Sequence, residues 1–216
     1  MNNIVAINGS PKTKGSVSAM LIEQIQDILE SNATTYQVLK LLKQENLTAT
    51  IADILQADAL LIVFPLYVDA LPAQLLKFLT LLEQQAIATV GRSPTVYAVC
   101  NCGFYEAEHT RLALDIIEHF SVRSGLVWGY GLGIGGGGFL YSQSNNMTKG
   151  PAANIYAALQ ELGQAIQSGD TGRQNVFVTP KIPRFLYEFG GNIGWRQMAR
   201  KYGAGKLLKA KPHMDK

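Results

Sequence analysis

The sequence predicts an α/β fold, in which a parallel sheet is covered on both faces by helices, and two observations carry that expectation. Short β-rich runs alternate five times with segments whose apolar residues keep helical spacing, giving five β/α units with right-handed crossovers. The run at 59–64 is continuously apolar, as in a strand buried on both faces. At 216 residues the chain suits one domain with a substantial core.

Taken in order, 4–8 is a short β-rich run. Residues 16–31 carry Val17, Met20, Leu21, Ile25, Ile28 and Leu29 on one helical face. A second strand is expected at 35–41, a short helix at 50–56 and a third strand at 59–64. Pro72 suits the first turn of a helix over 72–85. A strand at 94–102, a helix at 106–121, a strand at 126–134 running into a glycine-rich loop, and a helix at 151–167 complete the units. Beyond about residue 175 the pattern breaks down. Residues 176–178 suit an extra short strand, and 184–208 reads as partly helical, interrupted by Gly190, Gly191, Gly194, Gly203 and Gly205. The expected division is a domain at 1–175 and a C-terminal extension at 176–216 that is not a separate domain.

Composition narrows the function. Apolar residues make up 47% and charged residues 16%, the balance of a folded soluble protein. No apolar run is long enough for a membrane span, and the apolar start is too short for a signal peptide, so the cytoplasm is the expected location. Cys100 and Cys102 lie one residue apart, a spacing that suits neither a structural disulfide nor a C-x-x-C metal site, and they are read as reduced thiols. The net charge of +3 hides an asymmetry. Residues 181–216 hold nine Lys or Arg (Lys181, Arg184, Arg196, Arg200, Lys201, Lys206, Lys209, Lys211, Lys216) against Glu188 and Asp215, whereas 1–180 hold ten basic and fourteen acidic residues. Tyr187, Phe189, Trp195 and Tyr202 interleave with these bases. A subunit contact or a lid is expected of this tail; no nucleic-acid partner is expected.

Ligands of an open parallel sheet bind beyond the carboxyl ends of its strands, so the loops there carry the chemistry. The first, INGSPKTKGSVS at 7–18, combines the start of a helix with Ser10, Thr13, Ser16 and Ser18 hydroxyls, Lys12 and Lys14 charges, and Gly9 and Gly15. It suits a phosphate monoester, or a polar turn with Ser16 as an ordinary helix cap. The Walker and dinucleotide patterns are both missing, which leaves a single phosphate. Aromatic-bearing loops follow at 64–79 (Tyr67), 101–106 (Phe104, Tyr105) and 131–141 (GLGIGGGGFLY). His109 and His119 lie ten residues apart in one helix, a poor arrangement for a shared metal site, and His109 is expected at the surface. No metal site and no general acid or base is expected.

The pattern G-S-P-K-x-x-G-S-x-S at 9–18, the pattern P-x-Y-x-x-x-x-P-x-x-x-x-K-F at 65–78, and the five β/α units together resemble the flavodoxin-like NAD(P)H-dependent FMN reductases over roughly residues 1–170. The resemblance implies a flavodoxin-like, doubly wound five-stranded sheet of order 2-1-3-4-5 and noncovalent FMN. By position, Ser10, Lys12, Gly15, Ser16, Val17 and Ser18 would bind the phosphate. Pro65, Leu66, Tyr67, Val68, Asn101, Cys102, Gly103 and Phe104 would border the ring. The implied activity is hydride transfer from NADPH or NADH via the flavin to a small acceptor such as a quinone, flavin, or nitro or azo compound. A homodimer or higher homo-oligomer is implied too. Two alternatives stand beside it: a flavodoxin-type electron carrier, whose usual T-x-T-G-N loop is replaced here by one with lysines, and a flavin-free phosphate-binding α/β domain.

Overall fold

The computed structural model describes residues 3–30, 35–41, 47–88, 93–144, 146–208 and 210. Ser31, at the end of the expected first helix, and Lys209, Lys211, Asp215 and Lys216 of the basic tail lie outside the described residues. The chain forms two compact units that divide between 181 and 182.

The first unit alternates strands and helices: β1 (Asn3–Asn8), α1 (Val17–Glu30), β2 (Thr35–Lys40), α2 (Leu47–Leu55), β3 (Ala59–Pro65), α3 (Ala73–Ala88), β4 (Thr95–Asn101), α4 (Arg111–Arg123), β5 (Val127–Ile134), α5 (Gly137–Ser142), α6 (Ala153–Ser168) and β6 (Val176–Val178). All strand pairs are parallel, in the order β2-β1-β3-β4-β5-β6. The expected order 2-1-3-4-5 is present, but the sheet has six strands, not five. The sixth pairs Leu132 with Val176 and Ile134 with Val178. Three residues are too few to display a strand period, so only the open edge of β5 identifies them. Asn175 extends that edge by accepting the Gly131 N–H at 2.7 Å.

Two apolar layers flank the sheet. One face packs Ala6, Leu61, Val99 and Leu132 against Leu21 and Ile25 of α1 and Leu159 and Leu162 of α6. The other packs Ile7, Ile62 and Ala98 against Ile54 of α2, Leu75 and Phe78 of α3, and Leu114 and Ile117 of α4. The winding of the chain therefore reverses between β1 and β3, the kind of switch point at whose carboxyl ends open α/β sheets bind ligands.

Two other elements differ from the expectation. The glycine-rich stretch after β5 is not all loop: Gly136, at φ +67°, turns the chain into α5. Backbone bonds then fix α5, with Gly136 N–H donating to Phe104 O and Gly137 N–H to Cys102 O. A side chain at Gly137 would press on the Cys102 carbonyl, so glycine is what permits the close approach. In the second unit, α7 (Arg184–Lys201) runs unbroken through Gly190, Gly191 and Gly194.

β4 and β5 slip register between Val96 and Ala98. At that slip the buried Tyr97 ring lies against Gly129, where any added carbon would collide with it. The Tyr97 hydroxyl donates to Ala165 O at 3.0 Å and Asp170 O at 2.7 Å, closing the end of α6. Gly129→Ala is expected to destabilise the protein by about 1–3 kcal/mol through overpacking, read as a lowered midpoint in thermal unfolding.

Cys100 and Cys102 are free and buried. Burial pushes the Cys102 thiol from 9.0 up to about 11, with the Glu106 charge adding to the rise, and it pushes Tyr130 from 10.0 up to about 12. Above pH 9 the unfolded chain loses its cysteine proton while the folded one keeps it, so the unfolded state gains. Stability measured by denaturant titration is expected to hold below pH 9 and to fall as pH rises toward 11. The Cys102→Ser variant should show a shallower decline.

Candidate functional site

The loops that follow β1, β3 and β4 lie at one carboxyl edge of the sheet. Gly9 N–H donates to Val63 O at 2.9 Å, and a side chain at Gly9 would strike Phe64, so the first loop lies flat against β3. Asn8, at the end of β1, accepts the Ser10 N–H at 3.0 Å, and the Ser10 hydroxyl accepts the Lys12 N–H at 3.3 Å. Ser16 caps α1 by accepting the Ala19 N–H at 3.1 Å. Gly15 has φ +64°, a left-handed turn that glycine adopts without strain. The backbone N–H groups of residues 13–18 find no acceptor among the described residues. They lie at the start of a fourteen-residue helix, in a loop that also carries Lys12 and Lys14, an arrangement that attracts an anion.

A cavity of about 490 Å³ opens over this loop. Among the expected phosphate residues, Ser10, Lys12, Gly15 and Ser16 line it, and Val17 and Ser18 do not. Val17 packs against the core, and the buried Ser18 hydroxyl accepts the Asn101 amide at 2.9 Å. Asn8, Thr13, Lys14, Ala19, Glu23 and Lys40 complete the walls. Glu23 and Lys40 escaped sequence reasoning because neither belongs to the loop: one is a turn and a half along α1, the other ends a neighbouring strand.

The expected ring-side residues sit together at the carboxyl ends of β3 and β4. Pro65 pairs with Asn101 across the two strands, and Leu66 N–H donates to Asn101 O at 2.8 Å. The buried Asn101 amide donates to both Ser18 and Phe64 O, the latter at 3.0 Å, so it ties this side to the start of α1. Tyr67 and Ala70 exchange backbone bonds around a tight turn that projects Val68, at φ +50°, fully into solvent. Tyr67 and Phe104 expose their rings, and a side chain added at Gly103 would meet nothing within 4 Å. The Phe104 ring lies 4.5 Å from the ring of His109, whose Nε2 is 3.8 Å from Glu106. The Cys102 thiol points at the Phe104 and Glu106 carbonyls, and its raised pKa keeps it protonated at neutral pH.

A second cavity of about 550 Å³ runs along α4 and the β6 edge. Its cations are already engaged: Arg111 with Glu108 and the Phe177 ring, Arg173 with Asp170. No group of three or more His, Cys, Asp or Glu side chains suited to a metal occurs among the described residues, and no described helix is long and apolar enough to cross a membrane.

FMN fits the first site on the chemistry of its donors. One phosphate would meet the unpartnered N–H groups, the Ser10 and Ser16 hydroxyls and the lysine charges, and a flat ring would meet the open aromatic-bearing loops of the same sheet edge.

No curated protein matches the sequence. Among solved structures, the fold is similar to an NADH:FMN oxidoreductase in its apo form (TM-score 0.62, 16% identity, covering 80% of this chain and 92% of that one). It is similar to an NAD(P)H:quinone oxidoreductase from Methanothermobacter marburgensis (0.59, 16%, 77% and 97%). A Streptococcus pneumoniae TIGR4 flavodoxin is also similar (0.55, 12%, 77% and 99%), so the fold by itself does not separate enzyme from carrier. The sequence does separate them. Residues 2–131 match the family model of NADPH-dependent FMN reductase, and the chain belongs to that family of flavin-dependent oxidoreductases.

Proposed function

We propose that the chain takes electrons from NAD(P)H through bound FMN and delivers them to a small acceptor such as a quinone, a free flavin, or a nitro or azo compound. The observation that carries this reading is the run of unpartnered N–H groups at 13–18 beside two aromatic-bearing loops. FMN supplies the redox chemistry when bound, while the protein binds, orients and shields.

Ser10, Lys12, Gly15 and Ser16 would hold the phosphate directly, and Val17 and Ser18 would contribute backbone N–H groups. Pro65, Leu66, Tyr67, Val68, Asn101, Cys102, Gly103 and Phe104 would frame the ring. Gly103 leaves room above the loop after β4, and Tyr67 and Phe104 offer faces against which a planar acceptor can stack. Cys102 is no general base, because its thiol stays protonated. The supply of reduced nicotinamide nucleotide makes the cytoplasm the place of action.

A homodimer completes the proposal. None of the side chains of α7 is buried, and Gly190, Gly191 and Gly194 each weaken such a helix by about 1 kcal/mol. At about 100° per residue, Phe185, Leu186, Phe189 and Ile193 form one apolar stripe, and Tyr187, Trp195 and Met198 form another on the far side. A helix apolar on two sides needs two covering surfaces, which a second copy supplies. The basic tail also complements the acid excess of residues 1–180.

Three outcomes are expected. Purified protein should bind FMN, and anaerobic mixing with NADPH or NADH should bleach the oxidised-flavin absorbance within seconds. Bound flavin that neither nucleotide bleaches would support the carrier, and failure to bind FMN would end the flavin reading. Asn101→Ala should weaken FMN binding about tenfold and lower stability by about 1–3 kcal/mol, since Ser18 and Phe64 O each lose a partner; fluorescence titration and thermal unfolding read the two effects. Removing residues 182–216 should convert the dimer to a monomer in sedimentation while 1–181 stays folded.

A further inference from the structure

The glycine-rich stretch after β5 has no part in the site so far, yet its far end reaches the phosphate loop. Tyr141 lies in the last turn of α5 and is half exposed. A methyl group added at Gly15 would sit 3.0 Å from the Tyr141 hydroxyl oxygen and 3.7 Å from the ring carbon that bears it. Gly15 is a wall of the cavity over the phosphate loop and one of the residues with an unpartnered N–H. The Tyr141 hydroxyl itself has no hydrogen-bond partner among the described residues.

The position of this phenol is fixed from the other end of the site. The start of α5 is bound to the loop after β4 by Gly136 N–H to Phe104 O at 2.6 Å and Gly137 N–H to Cys102 O at 2.8 Å. Cys102 N–H in turn donates to Ile134 O at 2.9 Å. Leu140 is buried between, among the side chains of the α1 and α6 layer, which holds the last turn of α5 against the sheet. One short helix thus spans from the ring-side loop to the phosphate loop.

Resting on the FMN reading above, we propose that Tyr141 is a further cofactor-binding residue, its hydroxyl donating to the FMN phosphate beside Gly15. A neutral phenol supplies a donor where the lysines supply charge. A hydrogen bond from it to a phosphate oxygen is charge-assisted and stronger than a neutral one. Glycine at 15 is needed twice over: for its left-handed backbone, and because a side chain there would push the phenol out of reach.

The test compares two flavins on the wild-type protein and on Tyr141→Phe, which keeps the ring and removes only the donor. Flavin fluorescence titration should show FMN affinity falling about ten- to hundredfold in the variant, with riboflavin affinity unchanged. Phosphorus NMR of the bound FMN should show its resonance displaced in the variant. Unchanged FMN affinity with an unmoved phosphorus signal would overturn the assignment. An equal loss for FMN and riboflavin would overturn it too, because the tyrosine would then serve packing or the ribityl chain. Wild-type protein that binds no FMN would sink the function reading itself, an outcome distinct from normal binding by both proteins.

Discussion

The candidate site depends on one buried amide. Asn101 ends β4, and its side-chain nitrogen donates both to Ser18 in the first turn of α1 and to the Phe64 carbonyl at the end of β3. Its backbone carbonyl accepts Leu66 N–H. Three elements that would otherwise end independently are held in one register by groups of a single residue. In a low-dielectric interior such bonds are strong when satisfied and costly when broken, so the loops cannot drift apart without exposing or orphaning polar atoms. The start of α1 and the ends of β3 and β4 are therefore one rigid edge.

A different constraint acts on the β5 side. Gly129 admits the Tyr97 ring at the register slip, Gly133 makes room for Thr110 and Phe177, and Gly135 lies against the Tyr105 carbonyl. These glycines let α4 and the loop after β4 approach the sheet closely, and that closeness brings α5 to its bonds with Cys102 and Phe104. Packing on the β5 face thus decides where the loop after β4 stands. Thr110, fully buried and bonded to the Ala107 carbonyl at 2.7 Å, completes the same contact.

Much of this was legible in the sequence because it is local. The apolar run of β3, the helical face of α1 and the Ser16 cap each depend on neighbours within a few residues. The sheet order came from the resemblance, not from periodicity. β6 was only half legible, since three residues carry no period and their pairing with β5 is a long-range event. Four glycines in a row promise irregular chain where α5 forms; the contacts that fold it are made with residues 32 and 35 positions earlier. Ser18 and Asn101 are both expected site residues, yet a bond across 83 positions leaves no sequence signal of the tie between them. Tyr141 was visible only as one more aromatic.

Val68 carries the last step of the synthesis. A β-branched residue at φ +50° occupies a backbone region that its side chain disfavours, followed by Asp69 at φ +57°. Such a conformation costs about 1–3 kcal/mol and persists only where the surroundings over-determine it. Here the reciprocal Tyr67 and Ala70 bonds close the turn, Leu66 N–H is held by Asn101 O, and Pro72 O accepts Leu76 N–H at the start of α3. One end of the loop is thereby fixed to Asn101 and the other runs into the first turn of α3. The turn projects into solvent, with Val68 98% exposed. Under the proposed function, this exposed apolar side chain would offer an edge for a planar acceptor to lie against. Asn101, which joins β3, β4 and the start of α1, thus also anchors the entry to this turn.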